Sequence, residues 1–310
     1  MSGTSADTTV TGEPTGGATT QRWLVTGAGG MLGRDLLTVL GERSDGVSVT
    51  GLARADLDIT DPAAVEAAVD GHRVVLNAAA WTDVDGAESA EAQATAVNGT
   101  GVTYLAQACA DRGAVLVHVS TDYVFAGDGE LPYPEDAPTA PCNAYGRSKL
   151  VGEQAVLHLL PRHGYVVRTA WLYGAHGPNF VATMLRLAGE REHLDVVDDQ
   201  RGQPTWSYAL AQQIVRLAHA ALAGGAPAGI YHGTASGQTT WCGLAREVFA
   251  VRGLDPRRVR PTTSDRFPRP APRPAHSVLG HERWALAGLP AMADWRSMLS
   301  AALRDPAFTD

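Results

Sequence analysis

Over the first half of the chain, short runs rich in β-branched and other apolar residues alternate with longer Ala/Leu-rich stretches. The runs are RWLVTG (22–27), VSVTGLA (47–53), HRVVLNAAA (72–80), GAVLVHVS (113–120) and GYVVRTAWL (164–172), each with almost no polar interruption. Strands that are apolar on both faces belong to parallel sheets covered by helices on either side. Between them, MLGRDLLTVLGER, PAAVEAAVD, GVTYLAQACADRG and the stretch around Tyr145 have helical apolar spacing and read as crossover helices. The pattern predicts an α/β, Rossmann-like doubly wound parallel sheet over residues 22–173. Beyond about Gly174 the rhythm loosens, and a Pro/Arg-rich stretch, DPRRVRPTTSDRFPRPAPRP, occupies 255–274. Residues 174–310 are expected to form mainly a smaller substrate-binding lobe, with AGIYHG as a strand that returns to the main sheet.

The opening MSGTSADTTVTGEPTGGATTQ has neither an apolar core nor a basic start, so residues 1–21 read as a disordered tail rather than a signal peptide. No apolar run elsewhere nears the roughly 20 residues that span a bilayer, and no membrane partner is expected. At 310 residues and 45% hydrophobic composition the chain can bury a full core. Its formal charge of −8 argues against a nucleic-acid partner, which would want a basic surface. Three widely spaced cysteines, Cys109, Cys142 and Cys242, suggest neither a disulfide framework nor a zinc site and fit a reducing cytoplasm.

Chemistry first appears in VTGAGGMLGRDLL, where a strand runs through a glycine turn straight into a helix. Backbone N–H groups at such a helix start suit an anion such as a pyrophosphate. The pattern is GxxGxxG through Gly27, Gly30 and Gly33; Leu32 stands where a GxGxxG fingerprint would have its third glycine. Further on, CNAYGRSKLVGEQAV sets Tyr145 and Lys149 four apart on one helix face. That spacing serves an ordinary amphipathic helix equally well. Glu153 continues the face and reads as an ion-pair partner of Lys149.

Together, GxxGxxG, LNAAA after the third strand, STDYVF after the fourth and YGRSK on the next helix resemble the extended short-chain dehydrogenase/reductase family, from Arg22 to the last helix. Within it, NAAAWTDVDGAE, RTAWLYG, DDQRGQPT and RPAHSVL are similar to stretches of the reductases of dTDP-linked 4-keto-6-deoxy sugars. The resemblance implies reduction of a C4 ketone, with Tyr145 as general acid, Lys149 favouring the phenolate and holding the nicotinamide ribose, and Thr121 hydrogen-bonding the carbonyl oxygen. It implies a cofactor held by Gly27, Gly30, Met31, Leu32, Gly33, Asp58, Ile59, Ala78, Ala79 and Ala80. The second strand ends at Leu52 and Ala53 without an acid, while Arg54 follows. NADPH is therefore expected, with NADH tolerated, although Arg54 pointing to solvent would read the same.

For the dTDP-linked keto sugar, the resemblance implies Thr82, Val84, Thr121, Tyr123 and Trp171, with Asn179, Gln200, Arg201 and Thr205 as polar contacts in the second lobe. Core packing under the second lobe is the alternative reading for Trp171. Arg201 would grip the diphosphate. The Arg-rich 255–274 stretch could add contacts or be a solvated loop. Asp122 is followed by Tyr123, where dehydratases of the family carry Asp-Glu, so an elimination base is missing. His276 stands where asparagine is expected and is given no chemistry. The C-terminal stretch lacks a clustered acid pair, so no metal is expected, and the chain is expected to be a monomer or homodimer. Relatives in antibiotic-sugar pathways, a dihydrostreptose synthase among them, reduce other dTDP-4-keto sugars. The regulatory subunit of methionine adenosyltransferase also resembles this family without turning over a sugar, which leaves a binding protein as the alternative.

Overall fold

The computed structural model of the chain describes residues 21–43 and 46–309. Five strands follow the apolar runs: β1 Gln21–Thr26, β2 Val47–Leu52, β3 Val74–Asn77, β4 Val115–Thr121 and β5 Gly164–Thr169. They are parallel, in the order β5-β4-β3-β1-β2. The connections are α1 Met31–Gly41, α2 Pro62–Val69, α3 Val84–Ala87, α4 Glu91–Thr95, a π-helical turn Ala96–Gly101, α5 Val102–Arg112 and α6 Ala144–Leu159. Alternate strand residues feed two cores. Trp23, Val25, Leu76, Val117 and Val167 face one side with α1, while Leu24, Val75, Leu116 and Val166 face the other with α2 and α5. Apolar runs without alternation are the signature of that double burial.

Two strands are shorter than their runs, for local reasons. After Asn77 the backbone N–H of Ala79 turns to the Asn77 side chain (3.1 Å), which ends β3. After Thr169, Trp171 takes a positive φ of 47°, which breaks the extended backbone. The expected tail lies outside the described residues except for Gln21, which belongs to β1 because its N–H reaches the Gly46 carbonyl (3.1 Å).

The second half supplies β6 Leu172–Tyr173, α7 Phe180–Glu190, β7 Leu194–Val197, β8 Arg201–Gly202, β9 Thr205–Trp206, α8 Ser207–Leu222, β10 Gly229–His232, β11 Thr239–Thr240, α9 Trp241–Val251 and β12 Val259–Thr262. Its strand β10 pairs in parallel with β5 and extends the main sheet to six strands. The other strands form three two-stranded pairs, β6/β9, β8/β11 and β7/β12. The Pro/Arg-rich stretch is not a free loop. It contains β12, and near its end Ala271 donates to Asp85 (3.2 Å) and the Pro272 carbonyl accepts from Asn143 (3.0 Å). Among the described residues no helix is long and apolar enough to cross a membrane.

Candidate active site

The sheet order reverses between β1 and β3, and the crevice beyond their carboxyl ends is where open α/β sheets bind ligands. Gly27 lies there at φ 70°, and a Cβ on it would stand 2.5 Å from the Ala79 nitrogen. A Cβ on Gly33 would stand 2.2 Å from the Gly27 carbonyl oxygen. Only glycine lets α1 start this close to β1 and β3. Gly30 caps α1 in extended conformation with no side-chain hydrogen bond to the first turn. The first-turn N–H groups therefore have no side-chain acceptor from the cap, and this donor set fits a pyrophosphate. Gly33→Ala is expected to displace the loop and weaken NADPH binding at least tenfold, on the order of 1.4 kcal/mol. Fluorescence titration of the purified variant checks this, and an unchanged affinity would contradict the cradle.

The other expected cofactor residues divide. Ala78–Ala80 follow β3 beside Gly27, and Ala78 donates to the Thr26 carbonyl (3.1 Å). Met31 is half-buried, whereas the Leu32 side chain belongs to the core, so only its backbone can face a ligand. Arg54 is exposed in the turn after β2. Asp58 is exposed too, and hydrogen bonds from Thr60, aided by Arg54, hold its carboxyl below the usual range. Ile59 is buried against Gly101.

Tyr145 occupies the first turn of α6. Asn143 caps that helix by accepting from Gly146 (2.8 Å), and Glu88 accepts from Ala144 (2.8 Å). A Cβ on Gly146 would lie 2.1 Å from the Tyr123 carbonyl oxygen, so this glycine lets the turn press onto the segment after β4. The result brings Tyr145 to Tyr123, with ring centroids 6.0 Å apart, edge to face, and to Thr121 at the end of β4. Burial and the Asp122 carboxylate push the Tyr145 phenol up, and a hydrogen bond with Thr121 works the other way. Burial also lifts Asp122 to about 6, against hydrogen bonds from Ser277 and Thr121.

Lys149 is buried, and its Nζ donates to the Val119 carbonyl (2.7 Å) and lies 3.4 Å from His118 Nε2. Glu153 has a different partner from the one expected. It is buried and bidentate to Arg168 of β5 (2.7 and 3.0 Å), since a β5 guanidinium reaches it with a matching fork.

The substrate candidates are only partly gathered. Trp171 stacks on Trp241 at 3.6 Å between centroids, 7° from parallel, and Gln200 accepts from Trp241 Nε1 (3.0 Å). A Cβ on Gly202 would touch the Trp171 ring at 2.5 Å, so that glycine makes room for the stack. Arg201 is exposed in β8, and its charge, after burial, lowers the affinity of His276 for a proton. Thr82 is exposed and Val84 half-buried at the start of α3. Two residues have structural roles. Asn179 caps α7, accepting from Ala182 (3.0 Å) and donating to Gly174 (2.9 Å). Thr205 is buried, donating to Gln203 and accepting from Ala235, both at 3.2 Å.

Sequence reasoning passed over Asn98, Trp81 and Trp241. Asn98, in the π-helical turn, grips both backbone groups of Trp81 (2.9 and 3.1 Å) and donates to Ser148 (2.9 Å). Trp81 packs with Tyr145 on a small alanine cluster. An asparagine in an otherwise small and apolar stretch, AVNGTG, was the available signal; nothing in the sequence sets Trp241 opposite Trp171.

Residues 21–307 match the family described as RmlD substrate binding domain. The chain belongs to that family. Over 281 residues, 90% of this chain and 92% of the other, it is 59% identical to dTDP-4-dehydrorhamnose reductase of Streptomyces griseus. It is 53% identical over 286 residues to dTDP-4-keto-6-deoxy-D-glucose reductase of Streptomyces niveus, covering 91% of this chain and 96% of that one. Among solved structures, dTDP-4-dehydrorhamnose reductase of Bacillus anthracis in complex with NADP matches with a TM-score of 0.85 at 36% identity, covering 91% of this chain and 98% of that chain. These likenesses put the RmlD fold, as an extended short-chain dehydrogenase/reductase, beyond the sheet order alone.

Proposed function

We propose that this chain reduces the C4 ketone of a dTDP-linked 4-keto-6-deoxy sugar with NADPH. The observation that carries the reading is Tyr145, held at the first turn of α6 against Thr121 at the carboxyl end of β4, in a family member 59% identical to a named reductase of that class. When bound, the cofactor supplies a hydride. The glycine cradle would hold its pyrophosphate and Lys149 its ribose. Tyr145 remains protonated at neutral pH because burial and Asp122 oppose the phenolate, so it can give its proton to the carbonyl oxygen. The Thr121 hydroxyl donates to Asp122 (3.0 Å) in this structure and would turn that hydrogen to the carbonyl oxygen to fix its angle. The Asp122-Tyr123 pair lacks the second acid that elimination of water would use, which favours simple reduction.

Trp171, Trp241 and Gln200 form a polar-edged aromatic platform suited to a base or sugar ring, and the exposed Arg201 guanidinium suits a diphosphate. The nucleotide should then supply most of the affinity, because sugar hydroxyls exchange water contacts at little net gain. Free dTDP is expected to compete with the keto sugar nucleotide, and to bind Arg201→Ala roughly 10- to 150-fold more weakly, for one charge-assisted contact worth roughly 1.5–3 kcal/mol. Failure to compete would remove the sugar nucleotide from the proposal. The preference for NADPH rests on exposed Arg54 and on the lack of an acid at the end of β2, and NADH is tolerated.

A further inference from the structure

A file of polar side chains crosses the otherwise apolar sheet from β1 to α6. Thr26 Oγ1 donates to Asn77 Oδ1 (2.7 Å), Asn77 Nδ2 meets His118 Nδ1 (2.8 Å), and His118 Nε2 lies 3.4 Å from Lys149 Nζ. All four residues are buried. One end of the file fixes its polarity. The Ala79 backbone N–H donates to Asn77 Oδ1 (3.1 Å), so the carboxamide cannot turn over without setting its NH₂ against a backbone N–H. Asn77 Nδ2 is therefore the donor toward His118, and His118 Nδ1 must accept. Burial and Lys149 keep this imidazole neutral by holding its proton affinity well below that of an ordinary histidine. A neutral ring that accepts at Nδ1 carries its one proton on Nε2. That N–H faces Lys149, where an ammonium has only donors to offer and an amine has a lone pair.

We infer that His118 is a positioning residue for the reaction proposed above: Asn77 locks its imidazole as the Nε2–H tautomer, and that N–H, aimed at Lys149, disfavours the ammonium and makes the lysine more acidic in the cofactor-free protein. The other charged groups on the elements packed around α6 are engaged elsewhere. Glu91 of α4 is paired with Arg147, Glu88 accepts from Ala144, Asp122 acts on Tyr145 and Tyr123, and Arg112 of α5 is paired with Glu66 and Asp70. Glu153 opposes the effect, raising the proton affinity of Lys149, but Arg168 takes both its oxygens. Burial outweighs Glu153 and already brings Lys149 down to about 8. Ala79, which orients Asn77, also touches the Gly27 turn, so the glycine cradle and the lysine are joined by a single file.

Lys149 is the sole lysine of the chain, which makes the test direct. The full cofactor-free protein, labelled with ¹³C at lysine Cε and ¹⁵N in the histidine rings, gives one lysine signal to follow by NMR from about pH 6 to about 11. The wild type is expected to show His118 protonated at Nε2 and bare at Nδ1. Lys149 should titrate at about 8 or below, at least about two units under free lysine. His118→Asn retains an acceptor for Asn77 but deletes the N–H aimed at the lysine, and should raise the midpoint by about one unit, a tenfold change in acidity. In turnover, the limb of the kcat/KM profile that follows Lys149, well below the strongly alkaline loss of the Tyr145 proton, should move by the same amount. An Nδ1–H tautomer in the wild type, or a His118→Asn midpoint within about 0.3 unit of it, overturns the inference. If that variant fails to fold, the wild-type tautomer and midpoint decide alone. These readings need no substrate, so their failure is distinct from failure of the reductase proposal.

Discussion

Tyr145→Phe is expected to lower kcat by about 10²–10⁴-fold while NADPH affinity stays within about twofold. The ring sits against Trp81 on the alanine cluster and edge-on to Tyr123, and phenylalanine preserves those contacts. What disappears is the hydroxyl beside Thr121 and the proton it would give. Because burial and Asp122 keep the phenol protonated, the wild-type acid is present through neutral pH and is lost only as pH rises into the strongly alkaline range. The mutant should lose that alkaline limb together with its rate. Initial rates across pH, with cofactor binding measured separately, check both halves. A variant within about threefold of wild type would remove Tyr145 from the chemistry.

The largest expected effect on stability is at Glu153. Its carboxylate and the Arg168 guanidinium are 1% and 2% exposed, so neither charge has water to fall back on. Arg168 also lies over the Phe125 ring at 4.8 Å. Glu153→Ala leaves a buried guanidinium without its counter-charge and is expected to cost about 3–5 kcal/mol. Replacing both partners, as Glu153→Leu with Arg168→Met, removes the two desolvation penalties together and should recover most of that loss. Urea unfolding of the single and double variants measures it. A single variant within about 1 kcal/mol of wild type would mean that solvent enters the pair.

These two sites show what the sequence could and could not disclose. The five strands were legible because a sheet covered on both faces needs apolar residues at every position, and the runs had little else. Gly27, Gly30 and Gly33 were legible for a related reason, since backbone contacts of 2.2–2.5 Å to a would-be Cβ exclude every side chain at Gly27 and Gly33. Tyr145 and Lys149 were singled out by spacing and resemblance. Spacing also misled. Lys149 and Glu153 are i and i+4 on α6, yet the glutamate turns to Arg168, which arrives from β5 and is distant in sequence. His118 and Asn77 each stand in an apolar run, where burial without a partner is costly. That cost signals a partner without naming it, and here the two residues supply each other. Asn179 and Thr205 were read as ligand donors because their polarity was visible, while the backbone groups that occupy them, of Ala182, Gly174, Gln203 and Ala235, were not.

The most direct test of the account is transfer of deuterium from C4-deuterated NADPH to a dTDP-4-keto-6-deoxyhexose by the purified full chain, with the product read by NMR. The expected result is oxidation of the cofactor together with deuterium at sugar C4, much reduced for Tyr145→Phe, and with the free keto sugar a poor substitute for its nucleotide form. If NADPH binds but no deuterium is transferred, the chain is a cofactor-binding protein. If the free sugar reacts nearly as well as the nucleotide, it is a general carbonyl reductase.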